Sequence, residues 1–202
     1  FANTNNLTLN VPESSLKLNG ISRVDNVSIS AALTSGKLEI AQNATIENLA
    51  HSGSSRLDIN NAKVLTLGNA FEIPQGKSMK LLGSGEGRTI DLPDALKLSG
   101  TLKISSTGYT LRNGTLGLSG GLLDVVEDTN IESNITLLDS GSISVDSTIE
   151  IDPSQTLTYS GAVVDIGTSK LNIQGGGSFI NSNSSALSLN NANSHLVLDN
   201  VS

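Results

Sequence analysis

The chain has 202 residues, enough for one domain, with 2% aromatic residues, 15% charged residues and a net charge of −7. Ser (30), Thr (16), Asn (21) and Gly (20) dominate the remainder. No apolar run nears the roughly 18–20 residues of a membrane-spanning helix, no cysteine exists to build a disulfide framework, and 12 Lys plus Arg in an acidic chain argue against nucleic-acid binding, which needs a basic face to meet phosphates.

Along the chain the recurring unit is an apolar–x–apolar triplet. It starts with Leu7-Thr8-Leu9, Leu16-Lys17-Leu18, Val27-Ser28-Ile29, Leu38-Glu39-Ile40 and Leu57-Asp58-Ile59. It continues through Leu65-Thr66-Leu67, Phe71-Glu72-Ile73, Met79-Lys80-Leu81, Ile90-Asp91-Leu92, Leu96-Lys97-Leu98 and Leu102-Lys103-Ile104. Tyr109-Thr110-Leu111, Leu116-Gly117-Leu118, Leu123-Asp124-Val125, Ile143-Ser144-Val145 and Ile149-Glu150-Ile151 follow, and the last is Leu196-Val197-Leu198. A period of two predicts strands with one buried face. Gly, Asn, Ser and Asp clusters separate them, residues that tolerate turns. No helical stripe extends over the roughly 11 residues a helix requires; Ser30-Ala31-Ala32-Leu33 is the best candidate and too short.

Spacing decides the architecture. Leu16 to Leu38, Leu57 to Met79, Leu96 to Leu116, Leu123 to Ile143, Ile143 to Val164 and Val164 to Leu187 are steps of roughly 20–23 residues, within the range of solenoid repeats. A sandwich needs hairpin turns, and only Asn19-Gly20 and Asn113-Gly114 offer that dipeptide. The pattern instead predicts one all-β domain over 1–202, a parallel β-solenoid with about 21 residues and three short strands per coil. Nine or ten coils are expected. A narrow interior takes Leu, Ile and Val, and Asn at the corners can stack on Asn of the next coil. Gly83–Arg88 lengthens one turn, and Gly120-Gly121 and Gly175–Gly177 mark irregular corners.

Ser35-Gly36-Lys37-Leu38-Glu39-Ile40, Leu98-Ser99-Gly100-Thr101-Leu102-Lys103-Ile104 and Asn113–Val125 read as Gly-x-Leu-x-apolar coils. They resemble the passenger β-helices of bacterial autotransporters and of filamentous-haemagglutinin-like, two-partner-secreted exoproteins. The likeness lies in repeat length and composition across most of the chain. It implies a right-handed β-helix, secreted or on the bacterial cell surface at the outer membrane, and a role in adhesion and virulence. The partners expected are a host cell-surface or matrix component or a glycan, together with self-association, and without membrane insertion of this segment. No Met stands at position 1 and the pattern is still running at Ser202, so a segment of a longer repeat-containing protein is expected.

Candidate chemistry is sparse. Polysaccharide-active β-helix enzymes need clustered carboxylates for Ca²⁺ or for paired acid/base work. Two charged groups qualify for inspection: Gly85, Glu86, Arg88, Asp91 and Asp94, with Lys97 close by, and Glu127 with Asp128 beside Asp124. Both are expected to be functional loops at most, with their charges solvated on outward faces. A carboxylate ladder through Asp124, Asp146 and Asp165 is an alternative. His51 and His195 have no ligand spacing and are expected in surface turns. Thr156-Leu157-Thr158 is the one Thr-x-Thr triplet, too little for an ice-binding face. Sequons occur at Asn6, Asn26, Asn43, Asn113, Asn134, Asn183 and Asn200, close to the number chance provides. No catalytic residue, metal or cofactor is assigned. The expected function is a structural and adhesive rod, with a polysaccharide lyase or glycosidase, or a purely self-associating rod, as alternatives.

Overall fold

A computed structural model describes residues 7–20, 23–83, 85–93, 95–138, 142–145, 148–151, 154–160, 163–164, 170–174, 178–181 and 195–199. These residues contain strands and no helix. Every strand pairing is parallel. The strands form one sheet of eight and one of fourteen. Each turn visits the eight-stranded sheet once. It then crosses the fourteen-stranded sheet as two short strands, such as Val64–Leu67 and Phe71–Ile73, or as one long strand that rounds the corner, such as Tyr109–Ser119. The result is a three-sided β-solenoid of about seven turns. At the usual inter-strand spacing, the stack of eight strands measures about 34 Å. The described residues thus carry fewer than the expected nine or ten coils.

The apolar triplets become these strands because alternation places every second side chain inside. In Phe71–Ile73 the two apolar residues are buried and Glu72 is exposed. Parallel register then stacks like on like. Met79, Leu102, Leu123 and Ile143 form one inner row, and Leu57, Leu81, Ile104, Val125 and Val145 form the next. Each fully buried aliphatic side chain contributes about 1.5–3 kcal/mol by leaving water. One coil alone could not bury its inner face, so the stack is the stable unit.

Four of the five spacings that fall on described residues agree with the pairing: Leu16–Leu38, Leu96–Leu116, Leu123–Ile143 and Ile143–Val164. The fifth does not. Leu57 stands beside Leu81, and Met79 stands beside Ser55. A slip of two positions keeps the same side chains inside, so alternation cannot distinguish the registers. Leu187 lies outside the described residues.

Turn length is set at the corners. The coil from Leu38 to its partner Leu57 is short, whereas the coil from Leu65 to its partner Ile90 is longer and contains the Gly83–Arg88 insertion. Asparagine works there as expected. The side-chain amide of Asn48 donates to Asn26 Oδ1 at 3.1 Å, and that of Asn69 donates to Asn48 Oδ1 at 2.8 Å. Asn43 and Asn61 accept backbone N–H groups of the next coil, from Val64 at 3.0 Å and Glu86 at 2.8 Å. Asn113-Gly114 closes no hairpin. Both residues have positive φ, and they mark a register shift within Tyr109–Ser119. A Cβ on Gly114 would sit 1.8 Å from the Pro93 carbonyl oxygen, so the corner requires glycine.

Candidate functional site

The two charged segments meet at one corner. Parallel register aligns Arg88 with Tyr109 and Tyr109 with Thr129. The turns preceding these residues therefore stack, which brings Glu86 and Asp128 to the same open groove of about 360 Å³. Glu150, the register partner of Asn130, adds a third carboxylate. The groove is shallow and polar. Among the described residues no group of three His, Cys, Asp or Glu side chains could hold a metal ion.

Gly85 has φ +106 and lies at an exposed turn. Glu86 is exposed too, and its backbone carbonyl accepts from the Ala62 N–H. Arg88 departs from expectation: it is fully buried, with 0% exposure. The first residue of its strand faces inward, as Tyr109 does in the next coil. Its guanidinium lies 4.3 Å from the Tyr109 ring centroid, a cation–π contact. It donates to the Leu82 carbonyl at 3.1 Å and also to the Thr107 carbonyl. Among the described residues, no carboxylate is within ion-pair distance of Arg88. The Tyr109 hydroxyl donates to Leu82 O and accepts from the Ile59 N–H at 3.4 Å. Burial pushes the Tyr109 hydroxyl up to about 12.

Asp91 is half-buried and committed to structure. Arg112 grips both its oxygens, at 2.6 and 2.9 Å, the Asn113 amide donates to it at 2.9 Å and the Thr66 hydroxyl at 3.3 Å. This bonding to Asp91 raises the Arg112 guanidinium above its ordinary value. Asp94 lies outside the described residues. Lys97 pairs with Glu72 at 3.4 Å on another face. Thr129 Oγ donates to the Glu127 carbonyl at 2.9 Å, which fixes the turn before Thr129–Leu138. Asp124 is aligned with Ser144 and paired with Lys103, so no carboxylate ladder passes through it. Asp146 and Asp165 lie outside the described residues.

His51 also departs from expectation. It ends the long strand Ala44–His51 and is 6% exposed. Its Nε2 lies 2.7 Å from Ser55 Oγ, and Ser55 is itself buried. Desolvation lowers the imidazole to about 4, with a smaller contribution from the Lys77 charge. The pair joins the end of Ala44–His51 to the start of Ser55–Ile59. His195 is exposed.

Two features escaped the sequence reading. Tyr109 is the polar anchor of the corner, although its triplet marks it only as an inward residue. The second is a column of cations on the outer face of the eight-stranded sheet, made by Arg56, Lys80 and Lys103 in direct register. Each occupies an outward position of its strand, so the signal was present once the register was known.

Fold and geometry together define a β-solenoid with a charged, ladder-forming exterior. No family model matches the chain, and neither a curated protein nor a solved structure matches it.

Proposed function

We propose that this chain is a non-enzymatic structural and adhesive segment of a secreted or cell-surface bacterial β-helical protein. Stacked coils hold a rigid rod, and its polar exterior contacts a host cell-surface component, a matrix protein or a glycan. The observation that supports this reading is the use of the charged side chains. Asp91 is saturated by Arg112, Asn113 and Thr66, and Arg88 is sealed in the core. Asp91 and Arg88 are therefore engaged in holding coils together, and Glu86, Asp128 and Glu150 supply an open polar groove. That arrangement supports the non-enzymatic reading.

The test is binding of the labelled, monomeric chain to arrays of glycans and matrix proteins and to host cells. The control is a variant with outward residues scrambled and inward triplets kept. Saturable binding lost in the variant is the expected result. Absence of binding, or turnover of an acidic polysaccharide, overturns the proposal.

A further inference from the structure

The outer face of the eight-stranded sheet has a charge opposite to that of the chain. Among its described residues it carries Lys17, Lys37, Arg56, Lys80 and Lys103 against Glu39, Asp58 and Asp124, in a chain of net charge −7. The two signs also lie at different depths. The side chains of Glu39, Asp58 and Asp124 are 16%, 18% and 16% exposed, whereas those of Lys17, Lys37 and Lys103 are 54%, 35% and 39% exposed. The carboxylates sit low against the sheet and the ammonium groups stand above them.

Within this face the cations form a row. Arg56 aligns with Lys80, and Lys80 with Lys103. Lys37 precedes Leu38, whose partner is Leu57, and so it extends the row next to Arg56. Four cations in successive strands span about 14 Å at the inter-strand spacing. Like charges directly opposite one another destabilise a sheet. Their spacing is well inside the roughly 8 Å screening length of physiological salt. Lys37 offsets part of this by bonding Asp58, and Lys103 by bonding Asp124. Among the described residues Arg56 donates to the Thr34 carbonyl. Lys80, exposed in the middle of the row, has no hydrogen bond or ion pair among the described residues.

We infer that this row is a docking track for a linear anionic polysaccharide, a chain of uronate or sulfated sugars lying along the solenoid axis. Charge complementarity selects a polyanion, and the regular strand spacing selects one whose charges recur along an extended chain. No aromatic side chain stands in the row to stack bases, which disfavours single-stranded nucleic acid. The inference rests on the adhesive reading and names the chemistry of its ligand.

The experiment measures binding of the intact chain to dextran sulfate and polygalacturonate by titration at several salt concentrations. Neutral dextran and single-stranded homopolymer DNA are the comparators. Lys80→Glu, which removes a cation from the row and puts an anion in its place, is expected to weaken polyanion binding roughly tenfold or more. Lys97→Glu, the same charge change on another face, is expected to stay within about twofold of the parent, as its distance from the row implies. Thermal melting establishes that both variants are folded, and Lys80→Gln, expected to fall between parent and Lys80→Glu, gives a second reading if the reversal perturbs folding. Equal loss in Lys80→Glu and Lys97→Glu, absence of polyanion binding at low salt, or tighter binding of the DNA overturns the inference. Cell attachment measured on the same samples separates the two proposals: attachment retained without polyanion binding sinks the track and leaves the adhesive rod standing.

Discussion

Two regions of the interior solve the same packing problem differently. In the row Met79, Leu102, Leu123 and Ile143, each coil places an aliphatic side chain over the last, and regular turns keep the backbone groups paired. At the corner beside Gly83–Arg88 the turn is lengthened, and the carbonyls of Leu82 and Thr107 point inward. A buried carbonyl without a donor costs free energy comparable to a lost hydrogen bond. Arg88 and Tyr109 supply the donors, and the ring shields the cation. The difference shows that a solenoid accepts a longer coil where long polar side chains can reach its stranded backbone groups.

Mutations can break this comparison. Tyr109→Ala has the largest expected effect, a loss of about 4 kcal/mol in urea unfolding, because it removes a buried ring and both hydroxyl bonds. Leu123→Ala, in the aliphatic row, is expected to cost about 3 kcal/mol. Equal or reversed costs would show that the polar corner is no more demanding than the row.

Acid separates the regions further. The folded chain holds His51 neutral down to about pH 4, whereas the ordinary value is 6.5. Between those values the unfolded chain binds the extra proton, so stability is complete above pH 6.5 and falls as pH drops towards 4. The expected loss is about 3 kcal/mol. His51→Gln should flatten that limb of the stability–pH curve. An unchanged slope in the variant assigns the acid sensitivity to other groups.

Smaller effects sharpen the picture. Tyr109→Phe keeps the ring and removes the hydroxyl, leaving Leu82 O and the Ile59 N–H with one partner fewer each. A loss of about 1–2 kcal/mol is expected in the same unfolding assay. Asn48→Ala interrupts the Asn26–Asn48–Asn69 ladder on an exposed corner and is expected to cost about 1 kcal/mol. A loss near zero there would mean that water replaces the ladder without penalty.

Alternation and spacing by themselves determined that this chain is a parallel β-solenoid, which triplet residues face inward through the stacked coils and that Asn serves the corners; the triplet of the last strand departs, with Leu198 46% exposed. These properties are local and repeat in every coil, so a period of two and a recurring step of about 21 residues suffice to read them. Only the tertiary structure decided the register of Met79 against Ser55, because a slip of two positions preserves the inward pattern. It alone buried Arg88 and His51, whose surroundings come from residues one coil away or across a corner. It also brought Glu86 to Asp128 and aligned Arg56, Lys80 and Lys103. The sequence distance between neighbours in adjacent coils varies, from the short step of Leu38 to Leu57 to the long step of Leu65 to Ile90, and alternation carries no signal of that offset, because any even slip keeps the same side chains inside.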